Sequence, residues 1–260
     1  MGKSVVSQVS RGQGNEFLNK LEAAGLNSDL AQKVVDSKGN ALATMVVNLI
    51  RGKHSNWTSQ ERAREIMGRN FFGREHAQEY FGVDPWEDNM DVAFGDVPFT
   101  ETTLVACKDT HVLVAVFPLS IISIIEILSK ARLFYDPQSW HNKYAFENDR
   151  GEAGWHLVRK TPVEDSADKS WREQQALLCK NEETPSAQVM AYTIAGHYLA
   201  TGERLFKHFA ARCADVVSGG NHRVVIGGFG SDSGKLVDID WDGGQRLDFV
   251  GVSAARKPDA

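Results

Sequence analysis

Apolar residues recur at helical spacing from Gln13 to Ile50: Phe17, Leu18 and Leu21, then Leu30, Val34 and Val35, then Leu42, Met45, Val46 and Leu49. Gly25 and Gly39 divide the stretch, so the pattern predicts three short amphipathic helices. Two more are predicted over Ser59–Met67 and Arg74–Phe81, the first opened by Ser59. Glu101–Ala106 predicts one helical turn or two. Thr110–Phe117 then reads as a buried strand, and a second apolar element follows Pro118. Trp155–Arg159 predicts another strand, set off by Gly151 and Gly154. Ser170 and Glu173 have capping-box spacing and predict a helix running to Leu178. Gln188–Leu205 predicts a short strand over Val189–Tyr192 and a helix around His197 and Leu199, and Phe209–Cys213 predicts a further strand.

The most informative stretch is Arg223–Lys257. Its apolar runs Val224–Phe229, Leu236–Trp241 and Phe249–Ala255 are separated by Gly230–Gly234 and Asp242–Gln245, both rich in turn-forming residues. Within the second run Val237, Ile239 and Trp241 alternate with Leu236, Asp238 and Asp240, so one face is apolar and the other carries carboxylates. The pattern predicts three strands, Arg223–Phe229, Leu236–Asp240 and Phe249–Arg256, in one antiparallel meander with a polar, Gly-rich face. Helices first and a meander last give an α+β order. The Pro/Gly/Asp-rich segment Asp84–Pro98 predicts a boundary, with a helical module over residues 1–95 and an α+β domain over residues 96–260.

The pattern VxIGxFxSxxGxLxVxxxWD followed by GVSAARK resembles the C-terminal segment of the variable proteins of bacterial and phage diversity-generating retroelements. The resemblance covers about the last half of the chain and weakens before Trp155. It implies a C-type lectin-like fold in which a fixed framework holds a face whose exposed positions are rewritten by mutagenic reverse transcription. The implied framework is Val224, Gly227, Phe229, Ser231, Gly234, Leu236, Trp241, Asp242, Gly251 and the closing Ala254-Ala255-Arg256. The implied ligand-binding positions are Val225, Gly228, Gly230, Asp238, Asp240, Gly243, Gln245, Arg246 and Asp248. On this resemblance the chain recognises a protein or cell-surface ligand without catalysis and without a cofactor.

Composition changes that picture little. A chain of 260 residues with 42% hydrophobic and 24% charged content has the size and balance of one or two globular domains. A formal net charge of −5 argues against nucleic acid as the main partner. The N-terminus shows no apolar h-region, and the run from Val112 to Ile125 is interrupted by Pro118 and too short to span a bilayer. The expectation is therefore a soluble protein made in the cytoplasm, with no membrane insertion. Cys107, Cys179 and Cys213 are dispersed and odd in number, which fits buried free thiols better than a disulfide framework. The N-terminal helices read as a packing or oligomerisation module, which leaves a homo-oligomer open.

Four constellations compete with ligand recognition. The GGFGSDSGK segment is close to a dinucleotide fingerprint at Gly228, Gly230 and Gly234, and Gly234-Lys235 is close to a phosphate loop. Phe229 and Leu236, however, stand where that loop needs Gly and Ser or Thr, and a strand pattern follows where both motifs need a helix N-terminus. Asp232, Asp238, Asp240 and Asp242 are oxygen-rich enough for Ca²⁺, which would make the chain a calcium-dependent carbohydrate binder; a solvated acidic face is the simpler expectation. Asp109 and His111 supply two members of a triad, yet no G-x-S-x-G serine completes it. An enzyme on a scaffold like that of formylglycine-generating oxidases needs a reactive cysteine pair, and nothing local marks one here. Trp140, Tyr144, Trp155 and Trp171, with Phe134, Tyr135 and Phe146, read as core rather than as site.

Overall fold

A computed structural model of the chain describes residues 10–23, 27–35, 56–85, 93–130, 145–217, 222–228, 237–240 and 246–259. The chain divides into two compact units, Met1–Arg51 and Gly52–Ala260. The first contains α1 (Arg11–Ala23) and α2 (Ser28–Val35). Ser10 and Gln13 close a reciprocal cap at the start of α1, each side chain accepting from the other's backbone N–H. The third predicted helix, with Gly25 and Gly39, lies outside the described residues.

The second unit runs α3 (Gln60–Met67), a 3₁₀ turn, β1 (Phe71–Phe72), α4 (Arg74–Phe81), α5 (Glu101–Cys107), β2 (His111–Val116), α6 (Ile121–Lys130), α7 (Ala145–Asn148) and β3 (Gly154–Arg159). Then come α8 (Trp171–Gln175), β4 (Glu182–Glu183), α9 (Ala187–Thr201), β5 (Ala210–Val216), β6 (Arg223–Gly227), β7 (Val237–Asp240), β8 (Val250–Val252) and β9 (Ala255–Arg256). The strands form two mixed sheets, ordered β1-β2-β3-β9-β4 and β7-β6-β5-β8. The architecture is α+β. Among the described residues, no helix is long and apolar enough to cross a membrane.

Local sequence explains most boundaries. Ser59 accepts from the Arg62 N–H at the start of α3, and Thr100 does the same for Thr103 at α5. Gly82, in the left-handed region, ends α4 by donating to the Gln78 carbonyl. The strand expected over Val189–Tyr192 is instead the first part of α9, whose start is fixed by the Ser186 side chain accepting from Val189. Every residue from Ala187 to His197 is buried, because α9 packs against β2 of one sheet, β5 and β6 of the other, and helices α4 and α6. A helix buried all round carries no polar stripe, so its sequence has no 3.6 period to read.

The boundary expected near residue 95 falls inside the second unit. Phe71, Phe72, Ala77 and Phe81 join the same buried cluster as β2, β3 and α9. Phe72 meets Tyr192 edge-on at 6.1 Å, and Phe81 meets it at 4.4 Å. The C-terminal end returns to the same region: Trp57 Nε1 donates to the Asp259 carbonyl, and Thr100 N donates to the Asp259 carboxylate. The described residues on either side of the Pro/Gly/Asp-rich segment therefore belong to one core.

The predicted meander is half right. β6 and β7 are antiparallel neighbours, with Val224 opposite Ile239 and Ile226 opposite Val237. The third run, however, does not extend that antiparallel pair. β8 pairs in parallel with β5, and β9 crosses into the other sheet between β3 and β4. The strand breaks at Ser253, whose N–H and hydroxyl both donate to the Arg212 carbonyl, after which the Ala254 carbonyl accepts from Arg159. One apolar run thus serves two sheets.

Candidate functional site

The inner face of the C-terminal sheet belongs to the main core through Ala211, Cys213, Val224 and Ile226. The opposite face is not open either. Arg212 stands opposite both Val225 and Val252, and α8 lies across this row. The Arg212 guanidinium, fully buried, donates to Gln174 Oε1 and to the Lys169 carbonyl at 2.9 Å each. Gln174 spends its own amide on the Ser166 and Val250 carbonyls. Trp171 and Leu178 pack on Val163, Val252 and Ala254 to form a second small core. Val225, expected among the exposed binding positions, is consequently 5% exposed. Alternation along β6 does separate two faces, but both are covered.

Exposure returns at one end of the sheet, where β6 ends and β5 and β8 begin. The Gly228 N–H donates to the carbonyls of Phe206 and Phe209, which joins the end of β6 to the start of β5. Ala210 N donates to the Phe249 carbonyl, which joins β5 to β8. Phe209 and Phe249 therefore stand side by side, 48% and 53% exposed. Asp248 is exposed beside them. Arg246 reaches back to α8, its Nη2 lying 2.6 Å from Glu173 Oε1. The other Glu173 oxygen accepts from the Ser170 N–H and hydroxyl, completing the predicted capping box. Those hydrogen bonds from Ser170, with Arg246 beside them, hold the Glu173 carboxyl below its ordinary pKa.

Of the expected binding positions, Gly228, Arg246 and Asp248 share this end. Asp238 stands opposite Val225, one step inward from it, and Asp240 stands opposite Arg223 at the far end. Gly230, Gly243 and Gln245 lie outside the described residues, as do framework positions Phe229, Ser231, Gly234, Leu236, Trp241 and Asp242. Of the described framework positions Val224, Gly227, Gly251, Ala254 and Ala255 are buried, and Arg256 is partly buried. Two of these glycines have no room for a side chain. A Cβ on Gly227 would stand 2.5 Å from the Phe209 carbonyl oxygen at a φ of +132°, and one on Gly251 would stand 2.5 Å from Ser166 Oγ.

Two contributors escaped the sequence reading. Phe209 and Phe249 counted there as strand residues, although each sits one position before its strand begins. The pairing that makes these visible spans long stretches of sequence. Trp171, read as core, packs half-buried on the small core, and the Arg223 guanidinium lies 4.1 Å over its ring at the far end of β6.

The competing constellations fare differently. β6 and β7, which flank the GGFGSDSGK segment, are antiparallel neighbours, and residues 229–236 lie outside the described residues. Asp232 and Asp242 lie outside the described residues, and among the described residues no group of three or more His, Cys, Asp or Glu is placed to hold a metal ion. All three cysteines are free. Cys179 is exposed rather than buried, while burial raises the pKa of Cys107 and Cys213 and keeps both as thiols. His111 is a satisfied strand residue at Nδ1, which meets Thr110 Oγ1 at 2.8 Å.

A second polar cluster lies at the far end of the first sheet. His197 Nε2 meets Glu203 Oε2 at 3.1 Å, and Lys160 Nζ meets Glu203 Oε1 at 2.8 Å. Arg69 reaches Glu203 Oε2 at 3.3 Å. Burial alone would raise the Glu203 pKa, but hydrogen bonds from Lys160 and His197 outweigh it and hold the carboxyl below its ordinary value. No family model, no curated protein and no solved structure matches this chain.

Proposed function

We propose that the chain recognises a macromolecular ligand, without catalysis, through the end of its C-terminal sheet. In this reading the scaffold is of the C-type lectin-like kind used by retroelement variable proteins, and the ligand is a protein or another cell-surface molecule. One observation carries the proposal: along a single segment, framework positions are buried with no space to vary, while Arg246 and Asp248 project at an exposed end beside two half-exposed phenylalanines. Aromatic side chains flanked by charge are the usual anchors of protein interfaces. Exposed positions of this kind accept substitution at a cost within about 0.5 kcal/mol, which a diversified face requires.

The test has two arms. Sequencing the surrounding locus should find a reverse transcriptase and a near-copy of the 3′ coding region that differs at adenines; a locus with neither removes the retroelement reading. Independently, a library randomised at residues 209, 246, 248 and 249 should display as folded protein and yield clones that bind a model antigen such as lysozyme. A library randomised at residues 224, 227, 251 and 254 should lose folded display. Equal loss in both libraries would mean that the exposed end is structural.

A further inference from the structure

The cluster around Glu203 borders a cleft of about 300 Å³ lined by Asp109, Thr110, Lys160, Thr161, Glu203 and Arg204, with Arg159 and Leu205 completing the wall. Three separate elements supply these residues: the start of β2, the end of β3 and the turn after α9. The walls are fixed by backbone pairing, since His111 stands opposite Arg159 and Lys160 N donates to the Thr110 carbonyl. Arg204 is held by the Tyr198 ring at 4.4 Å and by the Tyr198 hydroxyl at 3.1 Å. Arg159 is held by Glu182, which is buried.

The charge here runs against that of the chain. Four cations, Arg69, Arg159, Lys160 and Arg204, stand with three carboxylates, Asp109, Glu182 and Glu203, whereas the chain carries a net charge of −5. Arg69, Lys160 and His197 all converge on the one Glu203 carboxylate, so its single negative charge leaves positive charge over. Because an ionised carboxylate only accepts, His197 must carry its proton on Nε2. Thr110 and Thr161 complete the lining, with the Thr110 hydroxyl already engaged by His111 Nδ1. A concave, cation-rich pocket with convergent donors on paired strands is suited to an oxyanion.

We propose that this cleft binds a small oxyanion, a phosphate or carboxylate group, through Lys160 and Arg204, with Glu203 setting the strength of binding by competing for Lys160. The site is independent of the end of the C-terminal sheet. Its size admits a small metabolite rather than a macromolecule.

The experiment is a calorimetric titration of the full chain with inorganic phosphate and, separately, with succinate. Sodium chloride at matched ionic strength serves as the reference. Saturable binding with a dissociation constant on the order of 1 mM is expected for one or both oxyanions. Lys160→Met should weaken it about tenfold, the usual scale for one charge-assisted hydrogen bond. Since Lys160→Met also removes a partner of Glu203, Glu203→Gln supplies a second reading. It keeps the shape and an acceptor for Lys160 but removes the competing charge, so binding should tighten several-fold. Phosphate alone in the saturable class identifies a phosphoryl ligand, and succinate alone identifies a carboxylate. Heats that match sodium chloride, or binding unchanged in both variants, overturn the proposal.

Discussion

At the scale of single residues, the C-terminal segment separates positions that carry the fold from positions that do not. Gly251→Ala would place a methyl 2.5 Å from Ser166 Oγ and 2.7 Å from Pro162 Cβ. Ser166 Oγ is already engaged, accepting from Val252 N and donating to the Val163 carbonyl, so the strand edge must shift. The expected cost by chemical denaturation is about 1–3 kcal/mol. Arg246→Ala removes an ion pair whose members are both largely in solvent, and should change stability by less than about 1 kcal/mol. Equal losses for the two variants would contradict the division between frame and exposed end. His111 gives a different single-residue signal. Burial, with Arg159 nearby, lowers its pKa to about 4, against about 6.5 in an unfolded chain. Between those values the unfolded state takes up the proton and the folded state does not. Stability is thus fully present above about pH 6.5 and falls through the window down to about pH 4, by up to about 3 kcal/mol for this group. Denaturation at pH 7 and pH 4.5 should show the loss in the parent chain and a smaller one in His111→Gln. The same slope in both would assign the acid sensitivity elsewhere.

At the scale of elements, α8 is small but holds a buried cation. Gln174 links the Arg212 guanidinium to two backbone carbonyls on the flanking segment and on β8. Gln174→Leu keeps the volume and removes all three hydrogen bonds, leaving buried donors and acceptors short of partners; a destabilisation of about 2–5 kcal/mol is expected. Glu173→Gln should be far milder, because an amide oxygen still accepts from Ser170 and only the exposed pair with Arg246 weakens. A denaturation midpoint that moves as far for Glu173→Gln as for Gln174→Leu would show that α8 is held from its surface. This arrangement also explains what the sequence could and could not disclose. Elements with their own signals were legible: the Ser59 and Ser170 caps, the helix over Arg74–Phe81, and the strand in the Leu236–Trp241 run. Val225 was misplaced because the resemblance assigns positions along the segment and does not tell whether a second layer covers their face. Val189–Tyr192 was misplaced because a helix buried on every side has no polar stripe. The Phe209–Phe249 pair was illegible because a parallel pairing across some forty residues creates it.

At the scale of the whole molecule, the decisive question is where the folding unit begins. A Pro/Gly/Asp-rich connection suggested residue 96, on the reasoning that such segments separate domains. The packing places Phe72 and Phe81 against the Tyr192 ring and Phe71 against Trp155, and it pairs β1 with β2. Thr58 forms a two-way backbone bridge with Val97, closing the same segment from the other side. A chain beginning at Gly52 retains every one of these contacts, and compact units with their own core usually fold alone. It should be monodisperse and melt in one cooperative transition, within a few degrees of the full chain. A chain beginning at Asp96 exposes the faces of β2 and α9 that these aromatics cover. Losing a single buried phenylalanine costs about 3–5 kcal/mol, so losing three costs about as much as the total stability of a typical domain. The shorter chain should be insoluble or show no cooperative transition. Thermal melts with sizing chromatography on both fragments decide the matter. A cooperative melt from the Asp96 fragment would restore the boundary near residue 95 and make the helices before it an appendage rather than part of the core.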